Sequence, residues 1–174
     1  MKKALGLLVT MLVTVSLHAQ QASVFDMVRS NDVQALQKVD FKSMNIDTVN
    51  AAGHSLLIVA VYNGSSACVD YLIRQKASLS IQDKAGNTAL MGACFKGNTA
   101  MVETLLRAGA PVNQVNYNEA TALFFAATFG HTDIVKRLLE AGAQKVSKDR
   151  FGKTALDYAR VQEHNEIVAL LEKE

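Results

Sequence analysis

Residues 84–116 read KAGNTALMGACFKGNTAMVETLLRAGAPVNQVN, and this stretch decides the fold because its pattern returns every 33 residues. A hydroxyl residue is followed at fixed distances by a leucine and then by an alanine. These positions recur at Ser55, Thr88, Thr121 and Thr154, at Leu57, Leu90, Leu123 and Leu156, and at Ala60, Ala93, Ala126 and Ala159. Such a fixed period indicates a solenoid, in which each unit buries its apolar face only against its neighbours.

Each unit of this period predicts a pair of helices. Thr88 is the expected N-cap of a first helix over 89–96, because its hydroxyl can accept from the free N–H groups of a helix start. A second helix is expected over 99–108, since its apolar residues fall on one face. Gly109 then supplies the left-handed residue that commonly ends a helix.

The unit resembles an ankyrin repeat. The residues that carry the resemblance are Asp83, Gly86, Thr88, Leu90, Ala93, Gly97, Val102, Leu105, Leu106, Gly109 and Ala110. The next unit repeats it at Asn116, Thr121, Leu123, Ala126, Ala127, Gly130, His131, Ile134, Val135, Leu138, Leu139, Gly142 and Ala143. The resemblance is strong over 50–174 and weaker upstream. It implies an all-α solenoid of stacked helix-turn-helix units, connected by turns and hairpin fingers.

The period also predicts the domain organisation. One ankyrin-repeat domain is expected over 20–174. Its parts are a degenerate N-terminal cap at 20–50, repeats at about 51–83, 84–116 and 117–149, and a C-terminal cap repeat at 150–174. Terminal repeats need a polar outer face, because no neighbour covers them.

Two departures from the family pattern carry structural expectations. The slot of the family histidine holds Ile58, Met91, Phe124 and Asp157. Apolar packing is therefore expected to brace most repeats, and only Thr154 with Asp157 forms a pair suited to a capping box. Lys76 and Glu119 stand where other repeats have glycine, so a left-handed backbone with a side chain is expected there.

The N-terminus predicts export. Lys2 and Lys3 precede an apolar run at 4–15, and a small residue, Ala19, follows. This order is typical of a secretory signal peptide, so residues 1–19 are expected to be cleaved. The run is shorter than the roughly 20 residues of a spanning helix, which leaves an uncleaved membrane anchor as the less favoured alternative. The lysine pair resembles a bacterial leader, and a periplasmic or secreted protein is expected.

The charge balance argues against nucleic acid as a partner. The chain has 18 basic and 16 acidic residues, and cleavage would remove Lys2 and Lys3, leaving 16 of each. A neutral chain offers no basic face to neutralise phosphates. No stable membrane insertion is expected after cleavage either.

The sequence predicts no enzyme, metal site or cofactor. His131 and His164 share one phase of the repeat, which favours a structural role, and no motif ties His54 to a nucleophile. An oxidising compartment permits a disulfide between Cys68 and Cys94. Both cysteines, however, occupy helix positions that are apolar in other repeats, so buried thiols are favoured.

The aromatic residues predict the binding surface. The resemblance implies contact through the finger tips and the exposed edge of the first helix of each unit. The residues mapped to these places are Tyr62, Asn63, Lys84, Phe95, Lys96, Tyr117, Asn118, Phe129, Arg150 and Phe151. Five of them are aromatic, out of 7 phenylalanines and 4 tyrosines in the chain. Exposed aromatic clusters often mark contact surfaces.

The favoured function is non-catalytic binding of another exported protein through the concave face and finger tips. Three other interpretations stay open. In the first, the rings of Tyr62 and Phe95, which lie one repeat apart, stack between units and serve stability alone. A self-associating structural protein and a small-molecule or cofactor-binding protein are the alternatives, although a shallow groove argues against the latter.

Overall fold

The structure is a computed structural model that describes residues 23–173. The expected signal peptide and the cut after Ala19 lie outside the described residues. Within 23–173 there are ten helices and no strand, apart from one isolated bridge between Val49 and Ser55. The all-α repeat fold is therefore confirmed.

The helices form two rows. They are α1 (23–29), α2 (Val33–Leu36), α3 (Leu56–Tyr62), α4 (Ser66–Arg74), α5 (Ala89–Phe95), α6 (Thr99–Arg107), α7 (Ala122–Thr128), α8 (Thr132–Glu140), α9 (Ala155–Val161) and α10 (Asn165–Glu172). Helices α3, α5, α7 and α9 make an inner row in which each packs on the next, and α4, α6, α8 and α10 make an outer row. The inner row is more closely packed than the outer row, so the stack is concave on the inner side.

Hydroxyl side chains cap three of the four inner helices, at Ser55, Thr88 and Thr154, whereas the Thr121 hydroxyl makes no capping hydrogen bond at the start of α7. The Thr88 hydroxyl accepts from the N–H of Met91 at 3.3 Å. In the last unit, Asp157 Oδ2 accepts from the N–H of Thr154 at 2.8 Å and completes a capping box. The expectation that only this unit has such a pair is wrong, because the Met91 sulfur accepts from the N–H of Thr88 at 3.5 Å and closes a second capping box. Helix α5, which was expected over 89–96, ends at Phe95 with Lys96 as its C-cap, one residue earlier than expected.

Apolar packing replaces the family histidine inside the stack, as expected. Ile58, Met91 and Phe124 are all buried in the core. The left-handed residues are also confirmed, with φ of 65° at Lys76 and 62° at Glu119.

Both cysteines are buried and free. Burial raises the pKa of the Cys94 thiol. It also raises the pKa of Cys68, with a further contribution from the negative charge of Asp32. The prediction of two buried thiols that act as small apolar side chains is therefore confirmed.

The two in-phase histidines join neighbouring repeats. The His131 ring lies so close to Gly97 that a Cβ there would come within 2.5 Å of the ring. The His164 ring lies in the same way against Gly130, and its Nε2 is 3.1 Å from the carbonyl oxygen of Thr128. Their structural role is confirmed.

Candidate partner-binding surface

Four hairpin fingers project beside the inner helices, at 50–54, 83–87, 116–120 and 149–153, and we number them one to four. Each is built on an Asn or Asp side chain that folds the turn. In finger two, Asp83 Oδ1 accepts from the N–H groups of Ala85 and Asn87, both at 2.8 Å. The equivalent residues are Asn50, Asn116 and Asp149. Their tips therefore have a fixed backbone.

Backbone hydrogen bonds join the fingers into a row, which we call the finger ladder. Its three bonds run from Lys84 N to Ala52 O at 3.3 Å, from Tyr117 N to Ala85 O at 3.2 Å, and from Arg150 N to Asn118 O at 3.0 Å. Gly86 permits this spacing, because a Cβ there would lie 2.5 Å from the nitrogen of Tyr117. The concave face, formed by the fingers and the inner helices, is therefore a preorganised surface.

Tyr62 lies deeper than its predicted place at an exposed edge. Its side chain is half-buried, and a Cβ on Gly92 in the next repeat would lie 3.3 Å from its ring. Burial raises the pKa of Tyr62, and the negative charge of Asp83 raises it further. The His54 ring lies 5.6 Å from it, and His54 Nε2 is 3.6 Å from Asp83 Oδ2. Tyr62 therefore takes part in packing between repeats.

Phe95 and Phe129 make a ring contact between units, whereas the stacking of Tyr62 on Phe95 that the sequence left open is not among the ring contacts of residues 23–173. The centroids of Phe95 and Phe129 are 4.9 Å apart, with the planes at 85°. Phe129 also stacks on the ring of His131. Even so, Phe95 remains 44% exposed and Phe129 remains 47% exposed. These two rings stack between units and also face solvent.

The finger tips carry the most exposed rings. Tyr117 is 67% exposed and Phe151 is 65% exposed. The guanidinium carbon of Arg150 lies 4.8 Å from the centroid of the Phe151 ring, a cation–π arrangement.

The polar site residues differ in what they contact. Asn63 is exposed, but its side-chain amide donates to the carbonyl oxygen of Val59 at 2.8 Å, and the residue is the C-cap of α3. Lys84 and Lys96 are exposed and form no ion pair within residues 23–173. Asn118 lies at the edge of a cleft between fingers three and four.

This cleft, which we call the aromatic cleft, has a volume of about 200 Å³. The rings that line it are Phe124, Phe125, Phe129, Phe151 and Tyr158. Sequence reasoning found only Phe129 and Phe151 among them. Phe124 was assigned to repeat packing. The sequence signal that was missed is the adjacent pair Phe124 and Phe125 on α7, since both rings line the cleft.

A short hydrogen bond joins two residues that line the aromatic cleft. The Tyr158 hydroxyl donates to Asp149 Oδ2 at 2.5 Å. Burial acts to raise the pKa of Asp149, but this bond and the N–H groups of Lys153 and Phe151 hold the pKa below its usual value. The same bond is the main reason that the pKa of Tyr158 is raised. The carboxylate is therefore charged at neutral pH and fully engaged inside the protein.

Two further features concern the part of the chain that the structure describes. Among residues 23–173, histidine, cysteine and carboxylate side chains do not gather in groups of three or more that could hold a metal ion. Over the same residues, every helix is too short or too polar to cross a membrane.

Comparison with known families agrees with the repeat architecture. The sequence model described as ankyrin repeats (3 copies) matches residues 24–116 and 93–174. No curated protein matches the chain. Since the two matched segments together span most of the sequence, the chain belongs to the ankyrin-repeat family.

Proposed function

We propose that this protein is a non-catalytic binding module that holds another exported protein on its concave face. Ankyrin repeats are generally protein-interaction modules, and proteins built from them are typically non-catalytic. One observation supports the proposal for this chain. The concave face leaves four aromatic side chains open to solvent, at Phe95, Tyr117, Phe129 and Phe151.

The physical argument is preorganisation. Large rigid rings bury much apolar area on contact and lose few rotamers, which is why aromatic residues dominate the energetics of interfaces. The finger ladder fixes the backbone beneath Tyr117 and Phe151. Binding would therefore cost this protein little conformational entropy.

Site-specific cross-linking tests the proposal. A photo-reactive amino acid is placed at Phe151 on the concave face or, as a matched control, at Arg107, which is exposed at the end of the outer helix α6. We expect one discrete protein adduct from position 151 after illumination in the native compartment, and none from position 107.

The other outcomes distinguish the alternatives. Adducts from both positions, or from neither, would contradict a concave-face interaction. An adduct of position 151 with a second copy of the chain would assign self-association instead.

Export forms part of the same proposal and rests on the order of residues 1–19. We expect a periplasmic or secreted mature protein that begins at Gln20. N-terminal sequencing of the protein from fractionated cells tests this, and recovery of intact residues 1–19 in the membrane fraction would favour the anchor.

A further inference from the structure

We propose that the aromatic cleft takes one aromatic or large apolar side chain from an acidic peptide segment of the partner. In this arrangement, carboxylates beside that side chain pair with Arg150 and its neighbouring cations. The inference rests on the proposed function and names the chemistry of the segment that is bound.

The size and walls of the cleft fit a single ring. A closed apolar cavity of about 150 Å³ holds one benzene molecule, and the aromatic cleft has about 200 Å³. Phe124 and Phe125 line it from α7, Tyr158 lines it from α9, and the exposed rings of Phe129 and Phe151 stand beside its opening. An entering ring would therefore meet ring edges and faces on several sides, which is the arrangement that aromatic groups favour.

Asp149, Tyr158 and Asn116, three of the polar residues that line the cleft, already have hydrogen-bond partners. Asp149 Oδ1 accepts from two N–H groups of its own finger, and Oδ2 accepts from Tyr158. Asn116 Oδ1 is engaged in the same way within finger three, and its amide nitrogen donates to Asn87 Oδ1 at 2.8 Å. An apolar side chain that enters would leave none of these groups without a hydrogen bond, so it avoids the cost of an unsatisfied buried polar atom.

The exposed charged side chains of the four fingers are mostly positive. In the fingers, Lys84, Arg150 and Lys153 are exposed, and Glu119 is the one exposed acidic side chain within these described residues. Lys96 adds a fourth cation at the end of α5. The acidic residues Asp83 and Asp149 are buried in the finger turns. An acidic segment would be attracted to this face, and a basic one would be repelled.

These cations have no ion pair among the described residues, in contrast to those of α8. There, Arg137 pairs with Glu103 at 2.9 Å, and Lys136 pairs with Glu166 at 3.0 Å. Arg107 on the outer row also lacks an ion pair within residues 23–173. The concave face therefore differs from the outer row because it combines unpaired cations with an apolar cleft.

Arg150 is placed to link the two kinds of contact. Its guanidinium lies 4.8 Å from the Phe151 ring, which lines the cleft. A guanidinium can hold a carboxylate through two parallel hydrogen bonds while it stays on an aromatic face. A carboxylate next to the inserted side chain would then be bound at the rim.

Peptide selection tests this inference. A random peptide library is selected on the immobilised purified protein, and the enriched peptides are titrated by fluorescence anisotropy. We expect them to share an aromatic or large apolar residue flanked by Asp or Glu. Arg150→Glu and Phe151→Ser should each weaken their binding about tenfold or more.

Matched variants control for general surface effects. Arg107→Glu reverses a charge on the outer row, and Val146→Ser removes an apolar side chain that is 82% exposed and outside the cleft. Each should change the affinity by less than about twofold. Thermal melts of all four variants show whether a loss of binding comes from unfolding.

Several results would overturn the inference. These are selected peptides without acidic residues, binding that survives Arg150→Glu, equal losses in the control variants, or no enriched peptide at all. Saturation of the cleft by benzoate, with no peptide binding, would assign it to a small aromatic acid. In each case the cross-link from Phe151 decides separately whether the protein binds another protein on this face.

Discussion

The rings of Phe95 and Phe129 meet edge to face across two neighbouring repeats, 4.9 Å apart, while almost half of each remains exposed. An aromatic pair of this kind contributes about 0.5–1.5 kcal/mol beyond the area that it buries. One pair therefore serves two purposes, since it joins the repeats and presents apolar surface to a partner. Its two contributions can be separated by experiment.

Replacing both rings with serine should reduce both stability and binding. In Phe95→Ser/Phe129→Ser, the ring contact and the apolar area that each half-buried ring covers are lost together. This loss of about 3 kcal/mol should lower the Tm by roughly 6–12 °C. The yield of the Phe151 cross-link, measured well below the lowered Tm, should fall about tenfold or more. Circular dichroism melts and cross-linking measure the two effects, and a lowered Tm with an unchanged cross-link would show that the pair serves stability alone.

Gly86 and Gly152 form a matched pair that tests the finger ladder. Both have positive φ, at 80° and 72°. A Cβ at Gly86 would lie 2.5 Å from the nitrogen of Tyr117, whereas a Cβ at Gly152 would meet nothing within 4 Å. We expect Gly152→Ala to cost about 1 kcal/mol from the left-handed backbone alone, and Gly86→Ala about 2–4 kcal/mol because overpacking is added. Chemical denaturation measures both, and equal losses would contradict the ladder.

Glu119→Gly should stabilise the protein. Glu119 has φ of 62°, a conformation that strains a residue with a Cβ, and its side chain is exposed. Glycine there should add about 1 kcal/mol, or roughly 2–4 °C of Tm. Lys76→Gly, at φ of 65°, is the parallel change and should act in the same direction. A clear fall in the Tm of Glu119→Gly would mean that its side chain has a stabilising contact.

The capping box of α9 predicts a dependence on pH. Hydrogen bonds from the N–H and then the hydroxyl of Thr154 lower the pKa of Asp157. Because the pKa in the folded state is below the unfolded value of about 3.9, this group stabilises the fold above about pH 4, and the effect is lost as the pH falls through the folded value. Asp157→Ala should therefore lower stability by about 1 kcal/mol at pH 7.

The comparison of Asp157→Ala with the unchanged protein across pH gives the test. The gap in Tm should be constant between pH 7 and pH 5 and should shrink below about pH 4. A gap that stays the same at pH 3 would show that the carboxylate charge has no part in the cap.

Both thiols should be unreactive in the native protein. Cys68 and Cys94 are buried, and burial raises the pKa of each, which lowers the thiolate fraction that reacts. A thiol reagent should modify neither until denaturant unfolds the stack, and then both. Modification of the native protein would indicate an open site. Failure of the unfolded protein to react in the absence of reductant would indicate a disulfide.

The repeat architecture could be predicted because it depends on local signals that recur. Thr88 begins a helix through its own hydroxyl, and Glu119 occupies a turn position that three glycines define elsewhere. These features need only the residues within one unit and its copies, so the period revealed them.

The aromatic cleft could not be predicted in the same way, because it depends on distances between units. Phe124 and Tyr158 line it together only because α7 and α9 pack side by side and finger four stands beside finger three. Tyr62 was placed at an open edge by phase, yet Gly92 in the next repeat leaves room for its ring. Whether a ring is buried depends on the side chains of the adjacent repeat. The 33-residue pattern does not specify those variable side chains.

The finger ladder also has a direction. Ala52, Ala85 and Asn118 each give a carbonyl to the following finger, and Phe151 is the equivalent residue of the last finger in the described chain. Its carbonyl, next to the uncrowded Gly152, is a ready acceptor for one more unit. The array can therefore be lengthened by engineering at this end, where a grafted repeat would find its first backbone bond already in register and would extend the recognition surface beyond Phe151.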